Sequence, residues 1–198
     1  MRYFRENSRI ISRLFINQIG MTIFALILTM AASQAAKDNN LVLVLVSVFS
    51  ILFYLCLIYN VMWDEGARNI IRINAGRMKK NAAFPFTVAL IAASPTLLLV
   101  ALMALSGLVG YIFDVTFLKN VLDVIYIIIA SLHAMYIGLF SWLISLLPAV
   151  EMWKDFMAVG LYFLAPLPMI LVSAGAYFLG TRNIYLLGKR KPKEEKKK

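Results

Sequence analysis

The chain has 198 residues, 62% of them hydrophobic and 15% charged, with a formal net charge of +10 and a mean hydropathy of +0.80. A water-soluble domain of this length has too small a core to hide that much apolar surface, so that class is excluded. Uncharged apolar runs of about 20 residues recur, the length that crosses a hydrocarbon layer of about 30 Å, and no sustained strand-like alternation is present; the composition calls for an all-α, polytopic transmembrane helix bundle.

The chain opens on a basic stripe. Arg2, Arg5, Arg9 and Arg13 recur at steps of 3, 4 and 4, while Ile10, Ile11, Leu14 and Phe15 fall on another side of the same helix. Basic residues, an apolar run and then AASQAA have the order of a secretory signal with a small-residue cleavage site. The run from 14 to 36 is 23 residues long, more than such a signal uses, and we expect it to remain as the first span. The turn KDNN at 37–40 leads to a second span at 41–62. Cys56, the single cysteine, lies in that span, which rules out a disulfide framework and a cysteine metal cluster and suggests a small buried hydrophobe.

Between the second and third spans sits WDEGARNIIRINAGRMKKN, residues 63–81, with seven charges in nineteen residues. Trp63, Ala67, Ile70, Ile71 and Met78 keep to one helical face, and Asp64, Arg68 and Arg72 follow at i, i+4 and i+8, an acid one turn before a base. Gly76 is the expected stop, with Arg77, Lys79 and Lys80 beyond it. This segment and the N-terminal one read as basic amphipathic helices lying along the inner leaflet. Arg5, Arg9, Arg13, Arg68, Arg72, Arg77, Lys79 and Lys80 are then the residues that bind anionic lipid headgroups or a membrane or cytoplasmic protein partner. RIISR at 9–13 resembles RNIIR at 68–72, though five residues do not make an internal repeat. No GxxxxGK[ST] occurs, so a nucleotide-cradling loop is not expected.

The third span runs over 84–113. Pro95 should kink it, with Ser94 or Thr96 able to satisfy a freed backbone group. An outer turn, DVTFLKN, follows at 114–120. Residues 124–149 carry no charge over 26 positions. A single crossing there would give five spans and put the C-terminal tail outside. We expect instead a re-entrant or broken helix hairpin turning near Gly138, with two thin spans, six in all, as the alternative. The fourth full span, 157–181, should bend at Pro166 and Pro168. In it Ala176 and Gly180 form a small-xxx-small pair that favours packing within the monomer over a homo-oligomer. Residues 1–188 thus read as one transmembrane domain with a basic loop at 63–83, and 189–198 as a disordered basic tail.

Charge placement orients the bundle. Of twenty Lys and Arg residues, four fall at 2–13, five at 68–80 and eight at 182–198. By the positive-inside rule these three blocks are cytoplasmic, with both termini inside a multi-pass protein of the inner cell membrane. The same segregation accounts for the positive charge without a nucleic-acid partner.

His133 is the only histidine, which leaves no pair of His ligands for a metal. Within a membrane it is a candidate polar site together with Ser94; the plainer reading is a neutral imidazole bonded to nearby backbone or to Ser131. No HExxH, GxSxG or paired intramembrane aspartates occur, so neither an enzyme nor a cofactor is expected. The strings GARNIIRINAGRMK and APLPMILVSAGAYFLGTRNIYLLGK resemble uncharacterised multi-spanning membrane proteins of Gram-positive anaerobes, over about a quarter of the chain. The resemblance implies an inner-membrane location and carries no activity. Two function classes stay open: a non-catalytic membrane subunit or accessory protein acting through its basic segments, and a small-solute transporter or its binding subunit with a mostly apolar pocket among broken helices.

Overall fold

The computed structural model describes residues 2–36, 40–113, 116–146 and 151–185, with side chains over 7–34, 41–109, 124–146 and 157–185. Residues 37–39 of the KDNN turn, the Arg5 side chain and the tail 189–198 lie outside the described parts. Among the described residues there is no strand. The helices are α1 (Arg2–Ala36), α2 (Asn40–Asn74), α3 (Phe84–Phe113), α4 (Thr116–Leu132), α5 (Ile137–Ser145), α6 (Glu151–Leu164) and α7 (Leu167–Thr181), with a 3-10 turn at Ala134–Tyr136 between α4 and α5. Among the described residues, four segments are long and apolar enough to cross a membrane: Asn7–Gln34, Leu41–Asn74, Phe84–Val109 and Met157–Thr181, the last built from α6 and α7. The α4–α5 pair bends by 76°. The protein is an all-α, multi-pass membrane bundle of four full spans plus a broken hairpin.

Its outer surface is apolar in the way that lipid, and not water, would solvate. Leu45, Leu52, Leu98 and Leu105 are exposed, and Cys56 is exposed with them instead of buried. On α2, Tyr54, Ile58 and Met62 turn inward at helical spacing, and the face that carries Cys56 is left to lipid.

Both basic segments depart from expectation. They are not separate helices lying on the leaflet: α1 runs unbroken from Arg2 and α2 unbroken to Asn74, each about 52 Å long at 1.5 Å per residue. No breaker interrupts 41–74, so each basic stripe simply prolongs its span. Gly76 ends α2 as expected. It adopts φ +69°, its N–H donates to Ile73 O (3.0 Å) and the Arg77 N–H donates to Arg72 O (2.9 Å), which closes a Schellman turn.

The most extensive helix pair is α2 with α7. Tyr54 is level with Pro166 and Met169, and Gly66 is level with Tyr177 and Thr181, so these helices run parallel. Two glycines permit their approach. A Cβ on Gly66 would collide with Tyr177 O, and one on Gly180 would collide with Trp63 O. Each glycine thus sits over the backbone of the residue three places before the other, a local two-fold relation. Ala176 and Gly180 are both buried, and the small pair seals the monomer, as its sequence suggested.

Parallel α2 and α7 have a topological consequence. With α3 returning between them, the α4–α5 segment must come back to its starting end. The turn lies in mid-bundle: Tyr136 is beside Tyr54, whereas Gly138 meets Leu43 and Ser47, about two turns nearer the start of α2. Two positions differ from expectation. The chain breaks at His133–Tyr136 and not at Gly138, and α4 already begins at Thr116, inside the segment read as an outer turn. Gly138 is in the first turn of α5, where a Cβ would strike the α2 backbone. Its requirement is close packing, which resembles a breaker signal in sequence.

Exposing broken backbone inside a membrane is costly unless protein satisfies it. Here side chains from α1, α2 and the 3-10 turn itself do so. Thr22 Oγ1 donates to Leu132 O (2.9 Å), the Gly138 N–H donates to Ser47 Oγ (2.9 Å), and Tyr136 Oη donates to Ala165 O (2.9 Å) at the proline break between α6 and α7. Pro166 and Pro168 occupy the cap and first turn of α7, where a missing N–H costs least. In α3, Pro95 leaves Ile91 O without its usual donor, and Ser94 Oγ donates to that carbonyl at 2.8 Å.

Candidate functional site: an arginine pocket at the basic end

The two basic stripes meet. Arg9 and Arg13 on α1 face Arg68 and Arg72 on α2 across a cavity of about 110 Å³, which Asn7, Ile10 and Glu65 also line. Helical periodicity explains the arrangement: 9 and 13, like 68 and 72, are one turn apart, so each pair forms a short column on its helix. Antiparallel packing of α1 on α2 then turns the columns toward one another. Buried Ile10 makes the floor.

Arg72 is held in place. Its Nη1 lies 3.7 Å from Glu65 Oε1 and donates to Asn69 Oδ1 at 3.2 Å. Glu65, two turns before Arg72, is the acid in this ion pair. Asn69 is itself buried and donates through Nδ2 to Tyr177 Oη (3.4 Å), whose ring lies 5.3 Å from that of Phe84. A chain of contacts thus ties the pocket wall to the α2–α7 crossing and to the start of α3. Trp63 secures the same crossing from the other side. Its Nε1 donates to Ile184 O (2.8 Å) and its ring lies 4.2 Å from Tyr185.

The remaining candidates are elsewhere. Arg77, Lys79 and Lys80 stand exposed on the connection between α2 and α3, outside the cavity lining. His133 is buried at the α4 break, where Nδ1 lies 3.0 Å from Ile129 O; because a carbonyl only accepts, Nδ1 carries the proton. Its ring is 5.3 Å from Tyr162. The plain reading of His133, a backbone-bonded imidazole, matches this geometry. Ser94 serves Pro95 and does not line the cavity near His133. That cavity, bounded by Gln18, Tyr54, His133, Tyr136, Pro166 and Met169, is about 10 Å³, room for one water. Gln18 Oε1 is buried there without a protein partner. Among the described residues no cluster of His, Cys, Asp or Glu could hold a metal ion.

The α2–α7 crossing was missed in the sequence, although a signal for it exists. Trp63-Asp-Glu-Gly66-Ala-Arg-Asn-Ile70 and Tyr177-Phe-Leu-Gly180-Thr-Arg-Asn-Ile184 share an aromatic residue three places before glycine and the string Arg-Asn-Ile after it. The shared register is the local two-fold written in sequence. In the first copy the helix continues through Asn69; in the second it ends, with Asn183 at φ 55° closing α7. Comparison of the chain with family models, with curated proteins and with solved structures gives no match.

Proposed function

We propose that the protein is a non-catalytic membrane subunit or accessory protein of the cytoplasmic membrane, with its basic end and both termini in the cytoplasm, and that it works by gripping anionic headgroups of the inner leaflet. The observation that carries this reading is the convergence of Arg9, Arg13, Arg68 and Arg72 on one pocket. Segregation of Lys and Arg to three blocks supports the orientation. Counting about 20 residues of hydrocarbon crossing from Gln34 brings α1 to the layer's edge near residue 14, so Arg13 and Arg9 fall at headgroup depth. The long stems of such residues pack along apolar surface while their charges reach the headgroups.

The test is a lipid comparison. Replacing Arg9, Arg13 and Arg68 by Gln should lower thermal stability in anionic nanodiscs more than in zwitterionic ones, by about 1 kcal/mol per residue near the charged surface. Equal losses in both lipids contradict headgroup binding and favour a protein partner. A transporter remains the second reading, because the α4–α5 and α6–α7 breaks face each other across the bundle. The cavity between them has the size of a water, not of a solute.

A further inference from the structure

The arginine pocket has a charge imbalance that diffuse attraction to a leaflet does not explain. Among the described residues that line it, four guanidinium groups face one carboxylate, and the Glu65–Arg72 pair uses one of those positive charges. Arg9, Arg13 and Arg68 supply three more around the same cavity. Each helix also places like charges one turn apart, Arg9 with Arg13 and Arg68 with Arg72, an arrangement that costs an isolated helix stability. Two such columns facing each other repel further. An anion seated between them adds attractions to each column that offset these repulsions.

We propose that this pocket is a discrete site for one phosphomonoester group, a headgroup carrying up to two negative charges on a single phosphorus. The inference rests on the headgroup reading above and sharpens it from general attraction to a one-to-one site. Guanidinium forks match phosphate oxygens bidentately, and columns on two helices present those forks from opposite sides. The cavity of about 110 Å³ has room for a phosphate and a few waters. A monoester offers three terminal oxygens and nearly two charges, where a phosphodiester offers two oxygens and one charge. Arg72, bonded to Asn69 and 3.7 Å from Glu65, forms one wall of the pocket that the other three arginines also line.

The full chain, reconstituted in nanodiscs of phosphatidylcholine doped with phosphatidic acid or with phosphatidylglycerol at matched total surface charge, tests this. Native mass spectrometry would count retained lipid, and the midpoint of thermal unfolding would be followed with lipid fraction. One phosphatidic acid retained per chain, with a saturating rise in the midpoint absent from phosphatidylglycerol discs, is the expected result. Arg9→Gln combined with Arg68→Gln should weaken the retained binding about tenfold or more, the scale of one lost charge-assisted hydrogen bond. Lys119→Gln combined with Lys154→Gln removes the same number of charges from residues that do not line the pocket and should leave it unchanged. Soluble glycerol phosphate added to pure phosphatidylcholine discs identifies the source. A matching midpoint rise there upholds the monoester site with a soluble phosphate as its occupant; no rise upholds it with the lipid. Equal, unsaturating rises with both anionic lipids would overturn the discrete site while leaving headgroup attraction standing. No difference between either anionic lipid and phosphatidylcholine would overturn both.

Discussion

Gly66 and Gly180 set the α2–α7 crossing, because each stands where a carbonyl of the other helix comes closest. Gly66→Ala or Gly180→Ala forces α2 and α7 apart or off their crossing, and overpacking of this kind costs about 1–3 kcal/mol. Gly175 lies on the same helix as Gly180 with nothing within 4 Å of its Cβ position. Gly175→Ala should therefore change stability by no more than about 0.5 kcal/mol. Thermal unfolding of the three variants in one detergent checks the contrast; equal effects would mean that the helices do not approach as described. At the hairpin the residue-scale prediction is smaller. Tyr136→Phe removes the hydroxyl that serves Ala165 O and should cost about 0.6 kcal/mol, the usual worth of a hydrogen bond in a membrane bundle.

At the scale of the helix, proline and serine act as a unit in α3. Pro95 removes the N–H that would have served Ile91 O, and Ser94 replaces it. Ser94→Ala alone should destabilise, Pro95→Ala should make the serine redundant, and the double variant should resemble Pro95→Ala. A double-mutant cycle in thermal unfolding reads the coupling, and additive losses would contradict it. The orphaned carbonyl was legible in the sequence, since Pro at i fixes it, whereas the choice of Ser94 over Thr96 was not. The α2 stop at Gly76 was legible for a similar reason: the segment needed a left-handed residue and had one glycine in place. What could not be read is instructive. An amphipathic stripe has the same period whether its helix lies on a membrane or continues a span, so residues 63–74 gave no hint of their continuity with α2. The hairpin break carries neither glycine nor proline at His133–Tyr136. It is set by Thr22, Ser47 and Tyr136 bonds that reach across the bundle, beyond any local pattern. The pocket joins columns 55 or more positions apart, and only the antiparallel seating of α1 on α2 brings them together.

For the molecule as a whole, everything at the basic end depends on one topological statement: α4 and α5 enter and leave on the same side, so α7 runs parallel to α2 and ends, at Arg182, at the same end of the bundle as the two arginine columns. On the proposed topology, four crossings would put both termini, the α2–α3 connection and the pocket against one leaflet, the one that the Lys and Arg distribution marks as cytoplasmic. Five crossings would separate the C-terminal basic block from the pocket by the full thickness of the bilayer. Single cysteines at Asn39, Lys154, Asn74 and Asn183, each in a Cys56→Ser background, distinguish the two with an impermeant thiol reagent. Asn39 and Lys154 should react in intact cells, and Asn74 and Asn183 only after lysis. Protection of Lys154 together with labelling of Asn183 from outside would contradict the hairpin, the parallel α2–α7 crossing and the shared basic face at once.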